Sequence, residues 1–269
     1  MSTVFSWRLE EFDDLVASCD RDTATPYILR YIPFEGKVVE AGCGLARYVK
    51  FLSDRGYDIV GIELSQDTVD MVTERAPELD VRQGDVIALP FGNDSISGVI
   101  SHGVVEHFIE GPQKPLKEIY RVLKAGYHAV ITVPSYNLVH QVKHASGVYH
   151  ISPSRNLKRL TLVRRLFGKG PFVPREVPYR KKGKAVPGVF FQYLFTKQEF
   201  EEALCAAGFT VVESIPVALI DGLYHDFGKG LVTFRNWTFY PTWFGKHLNS
   251  LLGKIPFCHN HMHLCVVRK

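Results

Sequence analysis

The stretch KVVEAGCGLARYVKFL, residues 37–52, decides the fold. A short β-prone run leads into a turn with glycines at Gly42 and Gly44, and apolar residues then recur at the spacing of an α-helix. Glycines let the backbone pass close to a ligand, and the helix that follows points amide donors at the same place. A dinucleotide-binding turn needs a third glycine where this chain has Arg47, so the turn is a poor cradle for a pyrophosphate.

The alternation of short strands and amphipathic helices continues along most of the chain. The pattern predicts strands at residues 37–41, 58–63, 81–83, 98–101, 127–133, 209–215 and 261–268. It predicts helices at residues 45–55, 66–76, 113–123 and 197–207. A capping box of Thr196 and Glu199 opens the last of these helices. Such alternation is typical of a doubly wound α/β fold, with a mostly parallel sheet covered by helices on both faces.

Two long stretches interrupt this rhythm and divide the chain. We expect an N-terminal helical cap at residues 1–35, a ligand-binding core at 36–134 and a basic insertion or lid at 135–190. The remainder of the sheet follows at residues 191–269 and contains a second insertion, residues 217–259, that is rich in aromatic side chains.

The composition is that of an ordinary globular protein, because 46% apolar and 22% charged residues argue against a disordered chain. No apolar run reaches the ~18 residues of a membrane span. The N-terminal segment lacks the basic and then apolar pattern of a secretion signal. The five cysteines are scattered, which favours reduced thiols, and we therefore expect a cytoplasmic protein.

Two acidic residues follow neighbouring predicted strands and suit an adenosine ligand. Glu63 ends the second strand, about twenty residues beyond the glycine turn, where a carboxylate can accept hydrogen bonds from both ribose hydroxyls. Asp85 follows the third strand, where it can accept from the adenine amine or serve as a plain N-cap. NAD-binding folds and methyl-donor folds share the ribose carboxylate, so these residues predict an adenosine and no more.

Together these segments resemble the class I S-adenosylmethionine-dependent methyltransferases, in particular the type 11-like group with an E-x-G-x-G first motif. The resemblance covers roughly residues 37–133 and rests on the joint spacing of five segments. These are EAGCG at 40–44, GIELS at 61–65, QGDVIALPF at 83–91, SHGVVEH at 101–107 and LKEIYRVLKAG at 116–126. The resemblance implies a seven-stranded Rossmann-like sheet whose last strand, HMHLCVVR at 261–268, runs antiparallel beside the sixth.

The resemblance also implies the site of S-adenosylmethionine, the cofactor of that family. Its binding positions would be Glu40, Gly42, Gly44, Glu63, Leu64, Asp85, Val86 and Ser101. Glu63 would hold the ribose and Asp85 the adenine amine, with Val86 packed on the ring. The two glycines would lie under the methionine portion, whose amino group Glu40 would face through water. Ser101 would line the same end.

The reaction implied by the resemblance is the transfer of an activated methyl group to an acceptor held in line. His107 follows the fourth predicted strand, whose carboxyl end faces the ligand crevice, and its pKa class suits a general base near neutrality. Alternatively, His107 packs or holds a loop. Glu106 is the candidate that orients His107 or contacts the donor. The segment at 101–107 lacks the D/N-P-P-Y-type motif of amino-group methylases of adenine or glutamine.

Two groups of histidines have a spacing that a metal could use. The first group comprises His140, His144 and His150, and the second comprises His259, His261 and His263. No second pair of ligands is evident beside the first group, for which we predict a polar pocket wall. The second group alternates along the last strand, where we predict a solvated strand entry. We therefore expect no metal.

The charge is concentrated in one segment. Residues 151–184 hold eleven basic residues against one acid, so this segment carries about +10 while the whole chain carries +4. It admits an anionic acceptor, an anionic membrane surface or a nucleic-acid backbone as a partner, or it is a solvated lid. The aromatic insertion suits an apolar pocket better than an RNA groove.

We therefore expect methyl transfer to a small or lipid-like acceptor, on an oxygen, in a pocket formed by the N-terminal segment and the two insertions. The alternative is an RNA or protein methyltransferase that uses residues 151–184. Contact with nucleic acid is not favoured, peripheral contact with an anionic membrane stays open, and so does the oligomeric state.

Overall fold

A computed structural model describes residues 7–145, 175–181 and 184–269. Its strands in chain order are β1 (Val38–Ala41), β2 (Ile59–Glu63), β3 (Val81–Gln83), β4 (Ile96–His102), β5 (Leu123–Pro134), β6 (Arg175–Lys181), β7 (Lys184–Leu194), β8 (Thr210–Val217), β9 (Val232–Arg235), β10 (Thr238–Pro241) and β11 (Met262–Arg268). Seven of them form one sheet in the order β3–β2–β1–β4–β5–β11–β8. The order reverses beside β1, which places a ligand crevice at the carboxyl ends of β1 and β4.

The strands of this sheet are parallel except for the last. β1 pairs in parallel with β2 and β4, whereas β11 runs antiparallel between β5 and β8. In this register Leu264 faces Thr132 on one side and Ile215 on the other. The predicted doubly wound fold with an inserted antiparallel last strand is thereby confirmed.

Helices cover both faces of the sheet. They are α1 (Phe12–Ser18), α2 (Thr25–Tyr31), α3 (Arg47–Ser53), α4 (Gln66–Arg75), α5 (Gln113–Val122), α6 (Leu138–Ala145), α7 (Lys197–Ala206), α8 (Leu219–Phe227) and α9 (Trp243–Leu252). One buried cluster joins α5 and α7 to the sheet through Leu116 and Leu204. A second cluster joins α2 and α3 to the sheet through Ile28 and Leu52. Each fully buried leucine or isoleucine contributes about 1.5–3 kcal/mol of transfer free energy.

Local sequence explains where the helices start. The Oγ of Ser65 accepts a hydrogen bond from the Thr68 amide at 3.3 Å and caps α4. The capping box predicted for α7 is present, because the Thr196 side chain accepts from the Glu199 amide while the Glu199 carboxylate accepts from the Thr196 amide. Both caps satisfy amides that have no partner inside the helix.

Two predicted boundaries differ from the structure at one point of the chain. The helix predicted to end at residue 123 ends at Val122, and β5 begins at Leu123 instead of residue 127. Gly126 adopts a left-handed conformation with φ 82° inside the strand. Its amide donates to the Lys269 carbonyl at 2.9 Å, so the chain terminus extends the pairing of β5.

Both insertions contain regular structure. In the first, α6 follows β5, and β6 pairs with β7 as an antiparallel hairpin, whereas most of the basic stretch lies outside the described residues. The second insertion consists of α8, the β9–β10 hairpin and α9. The five cysteines are free. In the part of the chain that the structure describes, no helix combines the length and apolarity needed to cross a membrane.

Candidate active site

A large cavity lies at the carboxyl edge of the parallel strands. Its volume is about 1340 Å³, which exceeds the ~300–1,000 Å³ of a typical single-ligand pocket. One side is formed by the glycine turn, the end of β2 and the loops after β3 and β4. The opposite side is formed by the N-terminal cap and the second insertion. The cavity therefore has room for two molecules, one against each side.

The glycine turn forms the floor of the first side. Gly42 and Gly44 have φ values of 84° and 53°, which L-residues with a side chain rarely adopt. A Cβ on Gly42 would lie 2.6 Å from Cγ2 of Val104, and a Cβ on Gly44 would lie 2.8 Å from Cζ2 of Trp7. Val104 and Trp7 can thus pack directly against the turn only because both glycines lack a side chain.

Glu63 stands at the end of β2 with its carboxylate already oriented. Its Oε2 accepts from the Gly44 amide at 2.9 Å, and its Oε1 accepts from the Ser65 amide at 3.0 Å. Each oxygen keeps further acceptor capacity. Glu63 and the neighbouring Leu64 both line the cavity.

Two further predicted positions follow β3. Asp85 lines the cavity, and its Oδ1 accepts from the Ile87 amide at 3.2 Å, which is the turn-capping contact weighed as the alternative role. Val86 is 7% exposed and lines the cavity beside it. The structure thus brings Glu63, Asp85 and Val86 to one wall.

The remaining predicted donor-binding residues, Glu40 and Ser101, differ in whether they line the cavity. Glu40 lines the cavity but is buried, and its Oε2 accepts from the Val49 amide at 3.1 Å. Burial raises the pKa of Glu40 to about 8, against the opposing effect of Arg47. Ser101 is buried with its hydroxyl unpartnered and is not among the residues that line the cavity.

The loop after β4 forms a 3₁₀ turn, Val105–His107, that carries both candidate catalytic side chains. Nδ1 of His107 donates to the Phe191 carbonyl at 2.8 Å, and burial lowers the pKa of the imidazole. Glu106 is 1% exposed, and burial raises its pKa to about 8. Nε2 of His107 and Oε1 of Glu106 are 3.7 Å apart. At neutral pH the pair is therefore uncharged.

A second polar cluster on the cavity wall escaped the sequence analysis. Nη2 of Arg47 donates to Oδ2 of Asp22 at 2.7 Å, and Nε2 of His102 lies 3.9 Å from the same oxygen. Burial opposes the charge of Asp22, but His102 and Arg47 hold its pKa below the usual range. Burial lowers the pKa of His102 to about 4. Arg47, which replaces the third glycine of a dinucleotide turn, instead fixes the N-terminal cap.

The far wall contains a third group that was also missed. The rings of His225 and His261 stack with centroids 4.3 Å apart and planes 16° apart. Burial, followed by the neighbouring His225 and His140, lowers the pKa of His261 to about 3. Burial and the nearby Asp22 raise the pKa of Asp221 to about 7. These residues meet only because α8 packs beside the start of β11 in the folded chain, so no local sequence pattern could predict their proximity.

Two predictions about the histidines are wrong. His259 and His263 are fully buried instead of solvated. Inside the fold, Nε2 of His259 bonds to Oδ1 of Asn249 at 2.9 Å, and Nε2 of His263 lies 2.8 Å from the Ser214 hydroxyl. His140 does not line the cavity, since its Nε2 lies 3.0 Å from Oδ1 of the buried Asp226. The described residues include no group of three or more histidine, cysteine, aspartate or glutamate side chains placed to hold a metal. His150 lies outside the described residues.

Few contacts join the N-terminal cap to the second insertion across the cavity. Nη1 of Arg21 donates to the Tyr240 hydroxyl at 2.9 Å. The Ala218 amide donates to Oγ1 of Thr23 at 2.9 Å. The rings of Trp7 and Trp237 lie 6.4 Å apart. One end of the cavity therefore lies between the N-terminal cap and the second insertion, while most of the first insertion, predicted to border the same pocket, lies outside the described residues.

Residues 39–131 match the family described as methyltransferase domain. A probable S-adenosylmethionine-dependent methyltransferase from Mycolicibacterium smegmatis is 31% identical over 98 residues, which cover 36% of this chain and 38% of that protein. A demethylmenaquinone methyltransferase from Renibacterium salmoninarum is 31% identical over 96 residues, which cover 35% of this chain and 40% of that protein. The chain thus spans about two fifths of the length of these curated relatives.

A solved structure extends the likeness to nearly the whole chain, but for the fold alone. The S-adenosylmethionine-dependent methyltransferase from Mesorhizobium loti superposes with a TM-score of 0.55 at 15% identity, covering 93% of this chain and all of that one. The family match ends at residue 131, so it includes the glycine turn and Glu63 but neither insertion.

Proposed function

We propose that the chain, whose residues 39–131 match a methyltransferase domain, transfers a methyl group from S-adenosylmethionine to an oxygen of an uncharged small or lipid-like acceptor. The observation that carries the proposal is the single cavity, which runs from the glycine turn and Glu63 to the aromatic wall of the second insertion. A donor on one side and an acceptor on the other meet at the loop after β4.

The donor side fits the methyl donor in its shape and its polar groups. Gly42 and Gly44 line the cavity, and a Cβ on either would displace Val104 or Trp7 from its place beside the turn. The oriented carboxylate of Glu63 is the ribose acceptor in this proposal, and Asp85 is the acceptor for the adenine amine. Glu40 faces the methionine amino group. Ser101 can act there only from behind the cavity wall, since it does not line it.

The acceptor side favours an uncharged molecule. Burial keeps the imidazoles of His102 and His261 neutral, with pKa values of about 4 and about 3, and keeps Glu106 protonated up to about pH 8. The guanidinium of Arg47 is paired with Asp22. An anion would lose its hydration in such a cavity, which costs several kcal/mol, while Arg47 is already neutralised and Arg21, which also lines the cavity, is engaged by the Tyr240 hydroxyl.

The aromatic lining favours a molecule with an apolar body. Phe234 and Trp237 line the cavity with ring centroids 5.9 Å apart, and Trp7 adds a third ring beside them. Such rings bind flat or apolar groups through dispersion and area burial. One relative is named for demethylmenaquinone, and from it we take only the lipid-like class of acceptor.

The chemistry needs little from the protein beyond alignment. The donor supplies a methyl group that is already activated on its sulfonium, so correct placement of the acceptor oxygen provides most of the rate enhancement. His107 is neutral near pH 7 because burial lowers its pKa, and it is held by the Phe191 carbonyl. In this position His107 takes the proton of the acceptor hydroxyl.

Calorimetry with S-adenosylhomocysteine tests the donor site. We expect binding by the purified chain and a loss of affinity of about 100-fold in Glu63→Ala, because two charge-assisted hydrogen bonds to the ribose are removed. Glu74→Ala is the matched control, since Glu74 is an exposed glutamate in the adjacent helix α4. Absence of heat from wild-type protein, or equal affinity of both variants, would refute the donor assignment.

Transfer of the tritiated methyl group from labelled S-adenosylmethionine to different acceptors tests the acceptor class. We offer an uncharged alkylphenol, the matching alkylbenzoate, an RNA oligomer and an unfolded protein as separate acceptors. Transfer to the alkylphenol alone is the expected result. Transfer to RNA, together with RNA binding that weakens steeply as salt rises, would replace the proposal with the nucleic-acid alternative through residues 151–184.

A further inference from the structure

Helix α9 exposes an apolar surface that no described residue covers. We define the α9 face as Trp243, Phe244, His247, Leu251 and Ile255. Trp243 is 65% exposed, Phe244 70%, Leu251 63% and Ile255 50%. Single exposed apolar residues are normal, but four large ones on one helix and its C-terminal extension indicate a binding surface.

The opposite side of α9 is fixed to the molecule, which sets the direction of the exposed face. Thr242 caps the helix by accepting from the Gly245 amide at 3.2 Å. A Cβ on Gly245 would lie 2.2 Å from the Leu231 carbonyl oxygen, so the helix backbone lies directly against the β9–β10 hairpin. Asn249 bonds to Nε2 of the buried His259. The helix cannot turn its apolar face inward without breaking these contacts.

The exposed residues follow the helical period. Trp243, His247 and Leu251 are four residues apart and therefore form one stripe along the helix. The ring of Trp243 lies 4.8 Å from that of Phe244 and 4.2 Å from that of His247. The stripe is thus a continuous surface led by two aromatic rings at the N-terminal end of the helix.

The charges of the chain segment that carries the face have one sign. The sequence from residue 227 to residue 269 contains no aspartate or glutamate. Lys229, Arg235, Lys246 and Lys254 are exposed in the same insertion. An apolar face in a segment that carries exposed cations and no acidic residue complements a surface that is apolar within and anionic at its edge, which describes a bilayer with acidic lipids.

The dimensions of α9 limit how it can meet a bilayer. Ten residues make a helix about 15 Å long, half of the ~30 Å hydrocarbon thickness, so α9 can lie on a bilayer but cannot cross it. Its tryptophan and phenylalanine are suited to the interface between headgroups and acyl chains.

The same insertion lines the cavity. Phe234 is 41% exposed and Trp237 38% exposed, and both are cavity residues, as is Asn249 of α9 itself. A face that rests on lipid would therefore bring the cavity close to molecules dissolved in that lipid.

We propose that the α9 face docks the protein on the surface of an anionic lipid bilayer. The inference does not depend on methyl transfer, because docking is measurable without donor or acceptor. It also differs from a role of the basic stretch at 151–184, since it rests on residues 227–257. A second copy of the chain fits the face less well, because two such faces would bring eight cations together without an anion.

Flotation with large unilamellar vesicles tests the docking. The full chain is mixed with vesicles of phosphatidylcholine alone or with vesicles that also contain about 40 mol% phosphatidylglycerol. The second composition supplies the anionic headgroups that attract a basic interfacial helix. We expect the protein to float with the anionic vesicles, to stay in solution with the neutral ones, and to be released by high salt.

Two double variants separate the apolar and the electrostatic contributions. Trp243→Ala/Phe244→Ala should lower the partition coefficient on anionic vesicles about 10-fold or more. Lys246→Glu/Lys254→Glu should lower it about 30-fold. All four positions are exposed, so circular dichroism and the melting temperature should match those of the wild type.

The matched controls lie outside the insertion. Phe34→Ala/Ile109→Ala removes two large exposed apolar side chains, and Lys114→Glu/Lys117→Glu changes the net charge by the same amount as the lysine variant. Both controls should float like the wild type. Failure of the wild type to float would overturn the proposal, as would flotation that the Trp243→Ala/Phe244→Ala variant retains. A dimer in sedimentation that this variant abolishes, without flotation, would assign the face to a second copy instead.

Discussion

The two sides of the cavity are built differently. The donor side rests on the ends of parallel strands, and Glu63 is held there by the amides of Gly44 and Ser65. The acceptor side consists of two segments that meet through contacts such as Arg21–Tyr240 and Trp7–Trp237. The sequence match at 39–131 covers the donor side and stops before the acceptor side. The family match therefore carries information about the donor side, while the acceptor side depends on segments outside that match.

The largest expected effect lies where the two sides meet. His107→Ala should lower turnover of the identified acceptor about 1,000-fold while donor affinity changes less than about 2-fold, because the base is lost and the donor side is intact. Single-turnover label transfer and calorimetry measure the two quantities. His247→Ala, which removes an exposed imidazole, serves as the control. Unchanged turnover would remove His107 from the mechanism.

The next effect should break the donor side alone. Gly42→Ala places a Cβ 2.6 Å from Cγ2 of Val104 at a φ of 84°, so the turn must shift. We expect the affinity for S-adenosylhomocysteine to fall on the order of 100-fold in calorimetry. Gly92→Ala, where the nearest atom would be 4.0 Å from the new Cβ, should bind as the wild type does. Equal affinities would mean that the donor does not lie on this turn.

A smaller effect should appear on the acceptor side alone. Trp237→Ala removes one ring of the aromatic wall and should raise the KM for the acceptor about 10-fold, with donor affinity unchanged. Trp243→Ala is the matched control when the acceptor is dispersed in detergent, because Trp243 does not line the cavity. If donor affinity fell together with acceptor affinity, the two sides would not be separable.

The last prediction leaves both binding sides aside and concerns stability and its pH dependence. Burial raises the pKa of Glu106 from 4.5 to about 8, so the folded protein keeps a proton that the unfolded chain releases between these values. The stability contributed by the protonated acid is present below pH 4.5 and is lost as pH rises through 8. Relative to wild type, the melting temperature of Glu106→Gln should therefore rise by roughly 10 °C between pH 5 and pH 8, because about three pH units of linkage correspond to about 4 kcal/mol. A difference that does not vary with pH would show that Glu106 is ionised in the fold.

Much of the donor side could be predicted because its signals are local. Two glycines between a predicted strand and a predicted helix indicate the turn, and Glu63 follows them by about twenty residues. The predicted fold class is confirmed, and residues 39–131 match a methyltransferase domain. The roles of the eight donor positions and of His107 stay predictions.

The polar groups of the acceptor side could not be predicted in the same way. Asp22, Arg47 and His102 are separated by dozens of residues and meet only because the N-terminal cap folds over the ends of the strands. The last histidines were wrongly assigned to solvent, since alternation along a strand indicates a shared face but not what covers it. His263 is buried by packing against Phe257 and Phe200, which no local pattern encodes.

The sequence by itself determined the order of strands and helices, the glycine turn and the positions suited to an adenosine, because these depend on hydrophobic period and backbone conformation within short windows. Only the tertiary structure decided which charges are neutralised, which histidines are buried, and that α9 turns its apolar face outward. Those properties arise from the proximity of residues far apart in the chain, and desolvation and packing depend on that proximity.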